Sequence, residues 1–422
     1  MSLKLHNLPN NLKVLSRHVP EARSVTVLIL IRTGSRYEEK RTNGLAHFAE
    51  HMFFKGTKKR PTTLEISSLI DGIGGEFNAF TSKEYTGYYI KARAKKFELL
   101  LDVLSDMIQN SKFDKDDIER ERGVIFEELR MYLDTPMRHI GDVYENLLYG
   151  DQPLGWDIVG SLDSLKNIKR EDFLRFQDAY YAPENMIVSI AGGVSHTDIK
   201  SITSKYLGKL KSKKTANYLP VKFAQEGPAV KLSSKKTEQA HFCLGVRGYP
   251  RGHKNHYKVV VLNAILGSSM SSRLFIQLRE RRGLAYYVRS MFEEYHDAGT
   301  FFAQAGVAPG NIEQAIKVIL EEYNKITTDK IGAEELKRAK ENIKGRLVLE
   351  LEDSREMAMI FGIQQLLEGK IRTTSEIFKK IDEVSAEDVK KVASEIFKKE
   401  KLNLAIIGPY KDEGKFAKIL KL

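Results

Sequence analysis

The chain repeats itself, and that repetition limits its fold more than any other feature. Val25-Thr-Val-Leu-Ile-Leu-Ile-Arg-Thr-Gly is a β-branched run that reads as a buried strand, with a helix after it. Ala240-His-Phe-Cys-Leu-Gly-Val-Arg-Gly has the same character and is again followed by an apolar helix, expected over 257–266. Arg32 and Arg247 close these runs 215 positions apart. Downstream, Tyr88-Tyr89 in Thr-Gly-Tyr-Tyr-Ile-Lys-Ala matches Phe301-Phe302 in Gly-Thr-Phe-Phe-Ala-Gln-Ala at an offset of 213. Amphipathic helices are expected next, over 97–110 and 312–325, each leading into a charged helix rich in Glu with Arg or Lys. Order and spacing both recur, so the expected fold is a duplicated α+β domain.

Residues 205–227 lack any apolar period and hold Lys-Leu-Lys-Ser-Lys-Lys-Thr, Pro220 and the first residue of Gly227-Pro228, the marks of a linker. The boundaries that follow are a first domain over 1–208, a linker over 209–228 and a second domain over 229–422. A length of 422 residues suits two such cores better than one. With 42% hydrophobic and 29% charged residues, the chain reads as soluble and globular rather than disordered. No apolar run approaches the ~20 residues that would span a bilayer, and no signal segment opens the sequence. No membrane association is therefore expected. The single cysteine, Cys243, excludes a disulfide framework and fits a reducing compartment, so a cytoplasmic location is expected. The net charge of +12 comes from lysines spread over helix faces and chain ends, without an arm of interleaved aromatics. No nucleic-acid partner is expected.

Against this background one polar group is out of place. His47-Phe-Ala-Glu50-His51 lies in an apolar segment between Asn43-Gly44 and Gly56, with Asn43 read as the N-cap and Gly56 as the terminating glycine of a helix. At the offset of 215, His47 falls on Leu262, Glu50 on Ile265 and His51 on Leu266. The second copy uses these places for packing, so the first copy gives up core there for another purpose. His47 and His51, at i and i+4, share a helix face and can supply two ligands of a tetrahedral zinc ion. Glu50 lies beside them and can reach a water at such an ion without being a ligand, as a general base must. A carboxylate from elsewhere would complete a His₂Glu set. The helix expected over 116–133 offers Glu119, Glu121, Glu127 and Glu128, with Glu121 and Glu128 two turns apart on one face. Periodicity does not choose between Glu127 and Glu128.

These motifs resemble the inverted-motif zinc peptidases, the H-x-x-E-H group that includes pitrilysin, insulin-degrading enzyme and the mitochondrial processing peptidases. The resemblance covers nearly the whole chain and implies two tandem homologous domains, each a mostly antiparallel sheet packed against helices. Gly44-Leu-Ala-His-Phe-Ala-Glu-His-Met-Phe-Phe-Lys-Gly-Thr looks like the signature helix, and Glu121-Arg-Gly-Val-Ile-Phe-Glu-Glu-Leu like the segment bearing the glutamate ligand. By that likeness the zinc ion, one per chain, is held by His47, His51 and Glu128, with Glu121 supporting the site. Gly74-Gly-Glu-Phe-Asn78-Ala79-Phe80-Thr81 resembles the substrate-facing edge strand, to which an extended peptide could add. Gln152-Pro-Leu-Gly-Trp and Tyr180-Tyr-Ala-Pro-Glu-Asn are also family-like and read as structural. In the second half, the segment from Arg279 to Tyr286 resembles the one carrying a paired Arg and Tyr. The likeness implies that this pair binds the substrate carbonyl and stabilises its developing charge.

Some relatives divide these elements between two chains, whereas this chain carries both. The resemblance therefore implies a zinc endopeptidase acting on peptide substrates as a homodimer that closes around a chamber, with a heterodimer as the alternative assembly. The alternative function is a non-catalytic subunit of the core type, which scaffolds a partner chain or binds peptides for it.

Overall fold

The computed structural model describes residues 2–421 of the chain. The first half runs β1 (Ser2–Asn7), β2 (Lys13–His18), β3 (Ser24–Ile31), α1 (Leu45–Met52), α2 (Thr63–Asp71), β4 (Glu76–Thr81), β5 (Thr86–Arg93), α3 (Phe97–Asn110), α4 (Lys115–Leu133), α5 (Pro136–Tyr149), α6 (Leu162–Asn167), α7 (Arg170–Tyr180), β6 (Met186–Gly192) and α8 (His196–Leu207). The second half runs β7 (Ala229–Ser234), β8 (Ala240–Arg247), α9 (His256–Leu266), β9 (Ala285–Glu294), β10 (Gly299–Val307), α10 (Ile312–Thr328), α11 (Ala333–Glu350), α12 (Ser354–Glu368), α13 (Thr374–Asp382), α14 (Ala386–Ile396), β11 (Leu402–Gly408) and α15 (Glu413–Ala417).

The strands form two sheets, in the orders β1-β2-β6-β3-β5-β4 and β7-β11-β8-β10-β9. Apart from β1, the second order restates the first. Each sheet has one parallel pair, β2 with β6 and β7 with β11, and is otherwise antiparallel. The registers sharpen the repeat. Ile29 faces Tyr88, and Leu244, which lies 215 positions beyond Ile29, faces Ala303. The counterpart of Tyr88 is therefore Ala303 rather than Phe301, and the expected offset of 213 is two residues short. Side chains alternate along a strand, so a slip of two keeps the same face inward, and the two aromatic pairs look equivalent in the sequence.

Both faces of each sheet are covered, which is why β3 reads as a continuous apolar run rather than an alternating one. In the first sheet Val25, Val27 and Ile29 pack into the core shared with α1, α3 and α7. The intervening Leu28 and Leu30 point the other way, against Met357, Ala358 and Phe361 of α12. Ser189 Oγ donates to the Ala358 carbonyl at 2.7 Å, and Lys91 pairs with Asp353 at 2.8 Å, pinning that helix to the sheet. Gly362 lets the helix sit close on the sheet, since a Cβ there would stand 2.8 Å from Leu30 Cδ1 and 2.9 Å from Ser189 Cβ. In the second sheet Phe242, Leu244 and Val246 face α9, α10 and α14. Cys243, Phe302 and Ala405 face Ile140, Val143 and Tyr144 of α5 instead.

The compact units consequently do not follow chain order. One comprises Met1–Arg130, Trp156–Leu219 and Val348–Arg372; the other comprises Met131–Gly155, Pro220–Leu347 and Thr373–Leu422. The exchanged segments, 131–155 and 348–372, are the same part of the repeat, 217 positions apart. The two units interleave along the sequence because the apolar faces of α5 and α12 are each buried on the sheet built by the opposite half of the sequence. Residues 209–228 hold no helix or strand. Among the described residues no helix is long and apolar enough to cross a membrane.

Candidate metal centre

Helix α1 begins at an unusual cap. Gly44 takes φ +96°, a left-handed conformation, and a Cβ there would meet the Val159 carbonyl oxygen at 2.5 Å. Asn43 is not the N-cap that its residue type suggests. Its amide donates to Glu38 Oε2 at 2.9 Å, and the same carboxylate accepts from Gly44 N at 2.8 Å and Ala46 N at 2.6 Å. A buried carboxylate six residues upstream thus satisfies the first N–H groups and faces the positive end of the helix. Burial pushes the Glu38 carboxyl up, to about 8, against the pull of these donors. The helix ends at Met52 with Phe53 as its C-cap, so Gly56, read as the terminating residue, lies beyond it. Phe48, Ala49 and Met52 fill the core and turn the polar residues of α1 the other way.

Helix α4 supplies the third member of the site. Glu128 Oε1 stands 3.7 Å from His47 Nε2, and Glu128 Oε2 stands 3.6 Å from His51 Nε2. All three ligand atoms lie within 4.8 Å of one another. The two contacts are too long for hydrogen bonds. They lie at or just above the spacing between two ligands bound tetrahedrally to one zinc ion, about 3.3–3.6 Å for bonds of about 2.0–2.2 Å. The donor set, two imidazoles and a carboxylate, therefore fits zinc in chemistry and in spacing. The adjacent Glu127 lies apart from this group: its side chain is 71% exposed and pairs with Arg130.

The surroundings treat the two histidines differently. His51 Nδ1 lies 2.8 Å from Glu121 Oε1, and Glu121 Oε2 lies 2.5 Å from Lys55 Nζ. His47 Nδ1 is buried with no hydrogen-bond partner among the described residues. Burial, with His51 beside it, pushes His47 down to about 3, so its imidazole is neutral and fit to bind a metal. Burial also opposes a charge on His51, but the hydrogen bond to Glu121 and the charges of Glu128, Glu121 and Glu50 outweigh it and raise His51. Glu121 stays below the usual carboxylate range despite burial, because His51 and Lys55 both bond it. Glu50 is raised, chiefly by burial, while its bond from Thr81 Oγ1 at 2.6 Å and the nearby His51 pull the other way.

The first unit thus brings together His47, Glu50, His51, Glu121 and Glu128, with Thr81 against Glu50. Strand β4 is one edge of its sheet, and among the described residues it pairs only with β5. Asn78, Ala79 and Phe80 lie along it before Thr81, and Asn78 is exposed. Arg279 and Tyr286 belong to the second unit. Arg279 sits in a π-helical turn over 275–280, and its guanidinium carbon lies 5.2 Å from the Phe275 ring and 5.9 Å from the Tyr286 ring. Tyr286, on β9, is 73% exposed. Leu262, Ile265 and Leu266, the counterparts of the polar residues in α1, are buried core residues of α9. Sequence reasoning missed Glu38 as the helix cap, Thr81 as the partner of Glu50 and Lys55 as the partner of Glu121. The only local signal for Lys55 is its place four residues after His51.

Comparison with known proteins matches two successive stretches of the chain. Residues 13–161 match the family model described as Insulinase (Peptidase family M16), and residues 167–343 match that of the Peptidase M16 inactive domain. An uncharacterized zinc protease of Bacillus subtilis is 38% identical over 408 residues, 96% of this chain and 98% of its own. Another from Mycobacterium leprae is 35% identical over 418 residues, 98% of this chain and 94% of its own. The crystal structure of a protease from Helicobacter pylori superposes with a TM-score of 0.91 at 26% identity, covering 97% of this chain and 99% of that one. A crystal structure from Pseudomonas fluorescens, described as a peptidase M16 inactive domain, shares the fold with a TM-score of 0.90 at 18% identity, covering 97% of this chain and 98% of that one.

Proposed function

Because the chain belongs to peptidase family M16, the insulinase family, we propose that it is a zinc-dependent endopeptidase acting on unfolded peptides or precursor segments. The observation that carries this reading is the pair of 3.6–3.7 Å separations between the two imidazole Nε2 atoms and the two oxygens of Glu128. His47, His51 and Glu128 would hold one zinc ion. When bound, zinc supplies Lewis acidity, which polarises a carbonyl and acidifies water. Glu50, half-buried and oriented by Thr81, takes the proton of the attacking water and later delivers it to the departing amine. Glu121 holds His51 in the tautomer that turns Nε2 to the metal. The unpaired edge of β4 offers backbone groups to an extended peptide, so binding depends little on side-chain sequence. Arg279 and Tyr286 take the role that the resemblance implies, holding the scissile carbonyl oxygen.

A homodimer and a closed chamber belong to the same proposal, supported by both halves of the constellation being present on one chain. A reducing, cytoplasmic setting is supported by Cys243 being a buried free thiol. The test is cleavage of a quenched unfolded peptide by the zinc-loaded chain, with and without chelator. Zinc-dependent cleavage is the expected result. A chain that binds zinc and peptide but cleaves nothing would be a non-catalytic subunit instead. Mass-spectrometric reading of a digested peptide library would then define cleavage preference.

A further inference from the structure

We propose that Lys55 is a positioning residue of the metal centre, acting on His51 through Glu121; the inference rests on the zinc reading above. Lys55 lies in the turn after α1, outside the hydrophobic core, with about a quarter of its side chain exposed. Its ammonium stands 2.5 Å from Glu121 Oε2, while Glu121 Oε1 stands 2.8 Å from His51 Nδ1. Each oxygen of this carboxylate is therefore engaged by a different group, and it cannot rotate without losing one of them. Glu121 is only 8% exposed, so water does little to replace a lost partner.

The two histidines differ in how their rings are set. Among the described residues the Nδ1 of His47 has no hydrogen-bond partner, so no such bond sets its ring. The orientation of His51 depends on Glu121, and that of Glu121 depends on Lys55. Charge balance points the same way. A bound dication with the carboxylates of Glu50, Glu121 and Glu128 leaves one negative charge in excess, and Lys55 cancels it. In a partly desolvated site an uncancelled charge acts strongly on every ionic neighbour. With Lys55 removed, Glu121 keeps one partner instead of two, and His51 Nε2 is presented less firmly to the metal.

The experiment is zinc competition against a chromophoric chelator on the full chain, comparing wild type with Lys55→Met, Lys55→Arg, Glu121→Gln and the Lys55→Met/Glu121→Gln double variant. Melting of the metal-free proteins controls for folding. Lys55→Met is expected to bind zinc about 10–100-fold more weakly, the usual range for loss of an outer-shell partner. Lys55→Arg, which keeps the charge, should recover most of the affinity. In the Glu121→Gln background Lys55→Met should add nothing, because its effect passes through the missing carboxylate. Wild-type affinity in Lys55→Met, or independent addition of the two losses, would overturn the role of Lys55 and leave the zinc reading intact. If the wild-type chain took up no zinc, both would fall.

Discussion

Thr81 Oγ1 donates a hydrogen bond of 2.6 Å to Glu50 Oε2, joining the end of the edge strand to the proposed general base. The strand that would receive a peptide thereby also orients the group that activates water for its cleavage. Thr81→Val keeps the shape and removes the donor. A hydrogen bond to a charged group contributes about 1.5–3 kcal/mol, so kcat should fall about 10–100-fold. Zinc content should not change, and Thr81→Ser should restore most of the rate. A valine variant with wild-type kcat would remove Thr81 from the mechanism.

Glu50→Gln should bring peptide cleavage down to background while zinc remains bound in stoichiometric amount. The amide preserves size but cannot take a proton, and general-base catalysis is worth about 10²–10⁴-fold. Metal analysis beside the peptide assay checks both halves of this expectation. Retained activity would end the assignment of Glu50.

The choice between adjacent glutamates can be tested in the same way. Glu128→Gln should lose zinc in dialysis against a weak chelator. Glu127→Gln should retain both metal and activity, since it removes only an exposed pair with Arg130. The reverse pattern would shift the ligand by one residue.

Glu38 should matter for stability rather than chemistry. Glu38→Ala leaves Gly44 N, Ala46 N and the Asn43 amide without their buried acceptor. A loss of about 1–3 kcal/mol in urea unfolding is expected for the first unit, with the metal-free protein equally affected. A change within about 0.5 kcal/mol would show that water replaces the cap.

Acid sensitivity is predicted in the second unit. Lys258 bonds Asp388 at 2.6 Å and, with the Ser385 amide, holds its carboxyl down to about 2. A carboxyl depressed by folding stabilises the fold above its unfolded value, about 3.9, and loses that contribution as pH falls towards 2. Asp388→Asn should therefore lower the urea midpoint at pH 6 and flatten its decline between about pH 4 and pH 2. An unchanged slope would mean that solvent screens the pair.

His47, Glu50 and His51 were legible because a helical spacing is local and because Leu262, Ile265 and Leu266 show what packing alone would place there. Glu128 was half legible. The period of α4 put Glu127 and Glu128 side by side, and only the packing of that helix, which leaves Glu127 towards solvent and Arg130, separates them. Thr81 and Glu50 are 31 residues apart on different elements, so no local pattern could join them. Glu38 lies six residues before Gly44, outside the three-residue spacing of a capping box. The duplicated fold was plain from order and spacing. The exchange of α5 and α12 was hidden, because an amphipathic helix has the same sequence signature whichever sheet it covers.

That exchange sets a timetable for biosynthesis. Domains commonly fold in order as they leave the ribosome, the earlier before the later. Here the strands of the first sheet are complete at Gly192, yet the helix covering Leu28 and Leu30 is not made until more than 150 residues later. Until then an apolar face on the unit that holds His47, His51 and Glu128 has no partner, while α5 emerges before the sheet it must cover. Maturation of the unit that holds the candidate metal centre thus awaits translation of residues 348–372, and premature termination anywhere before them would leave that unit unfinished.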